Sequence, residues 1–190
     1  MSEFFLELFS EEIPTNLQKS SRIVLLDNFQ KLFKEKQINF KKSSVYSTPN
    51  RLIILFEGLS KGIIQKAVEI KGPNVNAPEK ALDGFLRSHN INKEDLFKKV
   101  IEKSEFYFFK KSTKKIKTIE LLQEQTPLIL DKMHWKKSMK WGDFSLNWAR
   151  PLKSILAVFD GKSLNFKFHH LTCSNTTFID KEFEDKKKNI

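Results

Sequence analysis

The stretch from Lys136 to Pro151, which reads KKSMKWGDFSLNWARP, carries the residue types most able to do chemistry. It interleaves tryptophans with lysines and an arginine. Cationic side chains neutralise phosphates, and flat rings or guanidinium planes stack on unpaired bases. This pattern predicts an RNA-facing surface. The candidate contacts in it are Lys136, Lys137, Lys140, Trp141 and Arg150.

A second interpretation of the same stretch is structural. Gly142 and Pro151 interrupt any long helix, which predicts an ordered basic loop that leads into a strand. In such a loop Trp141 and Trp148 could close the edge of a core while the lysines are merely solvated. Composition alone favours this alternative, because large rings are usually well buried.

The overall charge supports an anionic partner only weakly. The 190 residues include 34 Lys and Arg against 23 Asp and Glu, which gives a net charge of +11. Such an excess is typical of proteins that bind nucleic acid. Lysine dominates arginine, however, and AT-rich coding produces the same bias without any RNA ligand.

The cysteine and histidine content argues against a disulfide or a metal site. Cys173 is the only cysteine, so no internal disulfide can form and a reducing compartment is predicted. His169 and His170 are adjacent, which is poor geometry for two ligands of one metal, and no further ligand has suitable spacing. We therefore predict no bound metal or cofactor. Because no signal peptide or membrane span is apparent, we also predict a cytoplasmic protein without a membrane partner.

The first half of the chain predicts a strand, a long helix and a hairpin. The apolar run from Phe4 to Phe9 is typical of a buried strand. Helical spacing of Leu17, Val24, Leu25, Phe29, Leu32 and Phe33 predicts an amphipathic helix that runs to about Lys36. Thr15, with Gln18 three residues later, is the expected cap. A second strand near Val45 turns at Pro49, and Arg51 opens a third strand.

Three charged residues near these turns have two readings each. Glu11 and Glu12 lie where the strand passes into the helix, and their structural role would be to complement the helix N-terminus. An acid–base pair is the alternative, for which no partner is visible. Arg51 either binds a phosphate or carboxylate, or it pairs with a local acid such as Glu11 or Glu12.

The second half predicts further hairpins and two helices. Val68 and Ile70 mark a strand that Lys71, Gly72 and Pro73 should close. A helix beginning at Pro78 should end near Asn90, and a helix beginning at Thr118 should be kinked or restarted at Pro127, with Thr126 as cap. The remaining predicted elements are a hairpin with strands at Val100–Ile101 and Phe106–Phe109, a basic turn at Lys110–Lys117, and a strand at Ile155–Phe159 followed by a turn at Asp160-Gly161.

These elements together predict an α+β fold with mixed or antiparallel sheets and hairpins packed against amphipathic helices. We predict one α+β unit at residues 1–75, a second at 76–179 that includes the basic tryptophan loop, and a charged, disordered tail at 180–190. The sequence has no Gly-rich phosphate loop, GxSxG elbow or Cys-x-x-Cys pair, so no catalytic residue is predicted.

Six segments, taken in order, carry a resemblance to a known family. They are FFLELFSEEIP (Phe4 to Pro14), STPNRL (Ser47 to Leu52), KGP (Lys71 to Pro73), ALDGFLRSHNI (Ala81 to Ile91), KSMKWGDFSLNWARPL (Lys137 to Leu152) and SNTTF (Ser174 to Phe178). In this order they resemble the N-terminal part of the beta subunit of bacterial heterotetrameric glycyl-tRNA synthetase.

The sequence departs from the family pattern at several points. Asn50 stands where the family has the first of two arginines, and Lys140 stands where it favours arginine. From Ile179 onward the chain does not match the Gly-His-Arg-Phe-like continuation. The family's proteins also continue through an HD-type domain to an anticodon-binding domain, so the resemblance implies a truncated product or a fragment.

The resemblance implies a role in charging tRNA(Gly) with glycine. In such an α2β2 enzyme the alpha subunit binds ATP with Mg and forms glycyl-adenylate, and the beta subunit supports tRNA recognition. This chain would then bind the alpha subunit or tRNA without containing the adenylation site. A stand-alone RNA-binding module and an inactive remnant are the alternatives.

The resemblance and the loop pattern together assign the candidate residues to two groups. The RNA or subunit contacts would be Lys136, Lys137, Lys140, Trp141, Arg150, Arg51 and Lys71. The structural motif residues would be Glu11, Glu12, Pro14, Pro49, Gly72, Pro73, Gly142 and Pro151.

Overall fold

The computed structural model describes residues 2–65, 68–101, 104–111, 114–178 and 187–189. In chain order its helices and strands are β1 (Glu3–Ser10), α1 (Thr15–Glu35), β2 (Lys42–Thr48), β3 (Arg51–Glu57), β4 (Gly62–Gln65), β5 (Val68–Asn74), α2 (Glu79–His89), β6 (Leu96–Ile101), β7 (Ser104–Lys111), β8 (Lys114–Lys117), α3 (Thr118–Asp131), β9 (Leu152–Phe159), β10 (Lys162–Ser163), β11 (Lys167–Phe168), β12 (Leu171–Thr172), β13 (Thr176–Phe178) and β14 (Lys187–Asn189). Helices and antiparallel sheets of this kind confirm the predicted α+β class.

The chain forms two compact units. Unit 1 comprises residues 1–63 and 116–190, and unit 2 comprises residues 64–115. The division differs from the boundary predicted between residues 75 and 76. The observed division keeps the paired strands β5, β7 and β6 in one unit, and its two boundaries fall within the paired strands β4 and β8. The sequence of unit 2 thus interrupts the sequence of unit 1.

Unit 1 is built on a five-stranded antiparallel sheet with the strand order β10-β9-β1-β3-β2. β1 is the central strand and is largely buried, because it has neighbours on both sides and five of its eight residues are apolar. Its register places Phe4 opposite Phe56 on β3 and Phe159 on β9. The predicted strand at residues 4–9 is confirmed, and the Asp160-Gly161 turn does join β9 to β10, with positive φ at both residues.

The helix α1 covers one face of this sheet with aromatic residues. Phe29 lies 5.4 Å from Phe4 between ring centroids, and Phe33 meets Phe56 edge-on at 4.8 Å. All four rings are fully buried. Burial of a Phe side chain stabilises a fold by about 1.5–3 kcal/mol, so this cluster is the main attachment of the helix. Val24 belonged to the predicted apolar face, but it lies 39% exposed.

Unit 2 is a three-stranded antiparallel sheet with the order β5-β7-β6, against which α2 packs. The predicted hairpin is confirmed, and its strands β6 and β7 are longer than expected. A turn of 3-10 helix at Lys93–Asp95 precedes β6, and it has the capping box of Asn92 and Asp95. The strand β5 does not end at Lys71 as predicted. It continues to Asn74 through a register shift that accommodates Gly72 and Pro73.

Both predicted helix caps in unit 1 are wrong. The cap of α1 is Pro14, and Thr15 is already the first helical residue, without a side-chain hydrogen bond to the cap. The helix α3 runs unbroken from Thr118 to Asp131 with Pro127 inside it, so Thr126 caps nothing and is buried. Packing of an apolar helix face evidently outweighs the loss of one backbone hydrogen bond at proline.

Residues 180–186 and 190, predicted to be disordered, lie outside the described residues, but β14 forms an antiparallel pair with β13, which corrects the prediction for residues 187–189.

Among the helices that the structure describes, none combines the length and apolarity that a membrane crossing requires.

Candidate nucleic-acid interface

The basic residues after α3 line a groove at the start of α1. This α1 groove has a volume of about 370 Å³. Its lining residues are Pro14, Asn16, Leu17, Lys136, Lys137, Ala149 and Arg150. The groove therefore brings together three of the five predicted loop contacts, Lys136, Lys137 and Arg150, from both ends of the tryptophan loop.

A pair of backbone hydrogen bonds brings the two ends of the loop together. The amide of Met139 donates to the carbonyl of Trp148 at 2.8 Å, and the amide of Trp148 donates back at 3.1 Å. This isolated antiparallel bridge closes residues 140–147 into a loop. Because it fixes the residues on either side, the cations at positions 136, 137 and 150 face the same groove.

Trp148 anchors the loop in the core of unit 1. It is 1% exposed, and its ring meets Trp135 edge-on at 4.9 Å and Phe168 at 5.9 Å. The structural interpretation of the tryptophans is thus confirmed for Trp148. Since the loop is held by a fully buried ring, its cations are presented from a rigid support.

The guanidinium of Arg150 is held in place by one residue outside the stretch from Lys136 to Pro151 and by one residue within it. Its Nε donates to the carbonyl of Glu12 at 3.2 Å, and its Nη1 contacts the Met139 sulfur at 3.7 Å. The amide of Glu11 donates to the Pro151 carbonyl at 2.9 Å. These contacts tie the loop to the strand-to-helix turn, and the side chain of Arg150 still remains exposed at the groove.

The start of α1 adds a positive potential to the groove. No side chain caps this helix, and its first turn contains no acidic residue. The aligned peptide dipoles of a helix give its N-terminus roughly half a positive charge. None of the seven described lining residues is acidic. The groove is therefore electropositive from both the side chains and the helix end.

Glu11 and Glu12 both precede α1, and the carboxylate of Glu11 pairs with a lysine of β9 rather than with the helix N-terminus as predicted. The carboxylate of Glu11 forms an ion pair with Lys153 at 2.7 Å. Glu12 contributes its backbone carbonyl to Arg150. The turn itself is held by Pro49, whose carbonyl accepts a hydrogen bond from the Ile13 amide at 2.7 Å. Both glutamates therefore lie outside the helix, in the turn that joins β1 to α1, where this turn meets the end of the tryptophan loop.

Trp141 lies in a separate aromatic group on the loop. Its ring is half-buried and meets His170 at 5.8 Å, while Phe144 stacks on His170 at 3.6 Å with 9° between the planes. Gly142 has φ +51 and turns the chain between these rings. Desolvation lowers the pKa of His170, and His169 next to it lowers that pKa further, which favours the neutral imidazole. Phe144 is 43% exposed.

Sequence reasoning missed Phe144 and the groove lining from α1. An aromatic two residues after Gly142 in a basic loop was the available signal for Phe144. No local signal existed for Asn16 and Leu17, which reach the groove from more than a hundred residues away. Lys140 is exposed but is not among the groove residues, so its assignment as an RNA contact stays a prediction.

Arg51 takes part in a buried polar network. Its Nε lies 3.3 Å from the carboxylate of Glu7, which is 6% exposed. Its Nη2 donates to the carbonyl of Phe178, and its guanidinium lies 4.6 Å from the centre of the Phe9 ring. The hydroxyl of Thr177 donates to the other oxygen of Glu7. The predicted partners Glu11 and Glu12 are wrong, although an acid does bind Arg51.

This network joins three of the sequence segments that carried the resemblance. Glu7 lies in the first strand, Arg51 follows the Thr-Pro turn, and Thr177 with Phe178 closes the SNTTF segment. A guanidinium engaged with a buried carboxylate and a carbonyl is poorly available for phosphate. The structure therefore favours a structural role for Arg51 over its predicted role as an RNA contact.

Lys71, Gly72 and Pro73 lie in unit 2 on the strand β5. The ammonium of Lys71 sits 3.7 Å from the centre of the Phe106 ring. At Gly72 a Cβ atom would stand 2.8 Å from the ring of Phe85 and 3.1 Å from the Tyr107 carbonyl. Gly72 is thus required by the close packing of α2, through Phe85, against this strand.

We expect Gly72→Ala to destabilise unit 2 by about 1–3 kcal/mol, because the added methyl group pushes Phe85 away from the sheet. The matched control is Gly84→Ala in α2, where a Cβ atom meets nothing within 4 Å. That change should be stabilising by up to about 1 kcal/mol, since alanine favours a helix. Urea denaturation of both variants checks the pair. Equal midpoints for Gly72→Ala and the parent chain would contradict the packing argument.

His169 links α3 to the loop that follows. Its Nε2 lies 3.3 Å from the Asp131 carboxylate, and its Nδ1 lies 3.3 Å from the Ser145 hydroxyl. The three residues line a second cavity of about 340 Å³ beside Trp135 and Trp148. Among the described residues, no group of three or more His, Cys, Asp or Glu side chains could hold a metal ion.

Cys173 is buried, and burial raises the pKa of its thiol from 9.0 to about 11. Because the thiolate is the reactive form, we expect no modification by Ellman's reagent in the folded chain at pH 8 and full modification in urea. Because the pKa is raised, the folded state binds the thiol proton more tightly than the unfolded state does. This contribution to the stability of the fold is present below pH 9 and is lost as the pH rises through about 11. Rapid labelling of the native chain would contradict this.

Comparison with known proteins gives a consistent match over the whole described fold. The family model described as glycyl-tRNA synthetase beta subunit matches residues 4–190. A protein of Rickettsia canadensis named glycine–tRNA ligase beta subunit is 42% identical over 187 residues, which is 98% of this chain and 28% of that protein. Proteins of the same name from Rickettsia conorii and Rickettsia typhi are 42% and 43% identical over 190 residues, each with 28% of its length matched. The chain thus spans a little over a quarter of the length of these relatives.

Proposed function

Because the chain belongs to the glycyl-tRNA synthetase beta subunit family, we propose that it supplies a tRNA-binding surface to a glycine–tRNA ligase. The surface is the α1 groove. In this proposal the chain holds tRNA(Gly), and it does not itself make or break a covalent bond. The relatives are named as beta subunits, which supports an assembly with a second kind of subunit.

The observation that carries the proposal is the convergence of Lys136, Lys137 and Arg150 on the uncapped start of α1. Backbone amides at a helix N-terminus and cationic side chains both bind phosphate. No acidic residue among the described lining residues opposes them. A groove of this composition fits a phosphodiester backbone better than it fits an apolar or cationic ligand.

The rigidity of the groove supports a positioning role. Arg150 is held by the Glu12 carbonyl, and the loop is anchored by the buried ring of Trp148. A cation that is already held in place loses little side-chain entropy when it binds a phosphate. The groove would therefore contribute to a defined register of the RNA, since phosphate contacts orient a nucleic acid without reading its sequence.

The chemistry in this proposal takes place on a separate alpha subunit in an α2β2 assembly in the cytoplasm. That subunit would bind ATP with Mg and glycine and form the adenylate. The groove residues accordingly act on RNA affinity and placement.

A reconstituted aminoacylation assay tests the proposal. The chain is added to a family alpha subunit with tRNA(Gly), ATP and labelled glycine, and a full-length beta subunit serves as the positive control. Charging above the level of the alpha subunit alone supports the proposal. Binding of tRNA without stimulation would favour a stand-alone RNA-binding module, and neither binding nor stimulation would leave an inactive remnant.

A further inference from the structure

The sheet of unit 2 has a second face whose residues the α1 groove does not involve. The helix α2 packs on one face, where Phe85 meets Phe109 edge-on at 5.9 Å. Since side chains alternate along a strand, Phe106 and Phe108 point to the opposite face. The strand register places Phe97 beside Phe108 and Lys99 beside Phe106. We call this opposite side the open face.

Aromatic rings form the centre of the open face. Phe97 stacks on Phe108 with 6.0 Å between the centroids and 30° between the planes. Phe108 is buried, whereas Phe97 is 37% exposed and Phe106 is half-buried. The outer ring, Phe97, therefore offers a flat apolar surface on a rigid support.

Lysines surround these rings. The Lys71 ammonium lies 3.7 Å from the Phe106 centroid, and that of Lys99 lies 5.8 Å from the Phe108 centroid. Lys110 is on the same face, because it alternates with Phe108 and Phe106 on β7. Glu69 is the acid opposite Lys110, and it binds Lys99 at 3.0 Å. Three cations against one described carboxylate leave this face positive.

We propose that the open face binds unpaired RNA by stacking a base on Phe97 and holding the flanking phosphates with Lys71, Lys99 and Lys110. Aromatic rings interleaved with cations on a sheet are suited to single strands, because every base has a flat face and every nucleotide a phosphate. Duplex RNA keeps its bases inside the helix, so it offers no ring for Phe97 to stack on. The positive charge excludes a basic protein surface as the natural partner.

This face differs from the α1 groove in what it recognises. The groove holds phosphates without an exposed ring, whereas the open face selects unpaired nucleotides. That the physiological ligand is an unpaired part of tRNA rests on the proposed function. Binding of a plain single-stranded oligonucleotide to the open face does not depend on the proposed function. Each of the two proposals can therefore be tested and rejected without the other.

The test is fluorescence anisotropy of the full chain with labelled oligo(U) of twelve nucleotides and with an RNA duplex of equal length. Phe97→Leu keeps the apolar cover on Phe108 but removes the stacking ring. Its expected effect is an affinity for oligo(U) that is about 5- to 100-fold lower. Phe97→Tyr should retain the parent affinity. The matched control is Val100→Ala, which trims an exposed apolar residue on the other face of the same strand.

A pair of lysine variants separates local contacts from bulk charge. The double variant Lys71→Gln with Lys99→Gln should weaken oligo(U) binding and lower its salt dependence. The control Lys80→Gln with Lys98→Gln removes the same charge away from the open face, and it should leave both the affinity and its salt dependence unchanged. The proposal is overturned if Phe97→Leu binds like the parent, if the two lysine pairs act alike, or if duplex binds as well as oligo(U). If only groove variants then weaken tRNA binding, the proposed function stands without this inference.

Discussion

Replacing Arg51 by methionine is expected to destabilise unit 1 by about 3 kcal/mol, although the residue lies at a strand end and not in the apolar core. The change leaves the carboxylate of Glu7, which is 6% exposed, without its cation. A buried charge whose partner has been removed typically costs about 3–5 kcal/mol. The Phe178 carbonyl and the Phe9 ring lose their contacts with the guanidinium at the same time.

The double variant Glu7→Gln with Arg51→Met separates charge from packing. Glutamine is neutral and still accepts the hydrogen bond from the Thr177 hydroxyl. If the loss in the single variant comes from the stranded charge, the double variant should recover more than half of the lost unfolding free energy. Thermal or urea denaturation of both variants and of Glu7→Gln completes the cycle.

A surface ion pair in the same sheet provides the control. Lys42 and Glu57 lie 3.5 Å apart across β2 and β3, with side chains 69% and 37% exposed. Lys42→Met should change stability by no more than about 0.5 kcal/mol, because exposed ion pairs contribute little. An effect of Arg51→Met as small as that of Lys42→Met would show that the Glu7 network is not a structural anchor.

The elements of unit 1 were predictable because their sequence signals are local. The apolar run of β1 and the helical spacing of α1 are each visible within a single segment. The Asp160-Gly161 turn was likewise predictable from its two residue types. A two-residue hairpin turn requires positive φ at both positions, and an Asp-Gly pair adopts it readily, as observed. The predicted helix caps at Thr15 and Thr126 were wrong, because tertiary packing determines at which of several neighbouring residues a helix begins.

The partners of the charged residues were not predictable from local signals. Arg51 was expected to pair with Glu11 or Glu12, which are nearer to polar turns, and instead it binds Glu7 in the middle of an apolar strand. Antiparallel pairing of β1 and β3 decides this, and Phe9 opposite Arg51 fixes the register. The α1 groove is likewise formed by residues 14–17 and residues 136–150. These two segments are more than a hundred residues apart, so no local pattern in the sequence predicts that they meet.

Replacing Lys136, Lys137 and Arg150 together by glutamine is expected to produce the largest functional effect. Three phosphate contacts give a slope of about −2 to −3 for the logarithm of the tRNA association constant against that of the salt concentration. These three contacts alone should therefore cost the parent chain about 15- to 60-fold in affinity between 50 and 200 mM salt. The triple variant should bind more weakly at 50 mM, and the slope of its salt dependence should be shallower than that of the parent chain by about 2 to 3.

The matched control removes three exposed cations of unit 1 that are not among the groove residues, at Lys31, Lys162 and Lys167. This variant has the same net charge as the groove variant. If bulk charge alone attracts RNA, both variants will weaken binding equally and flatten the salt dependence equally. If the rigid groove holds phosphates, only the groove variant will do so, because the positions of the cations beside the start of α1 then matter more than their number.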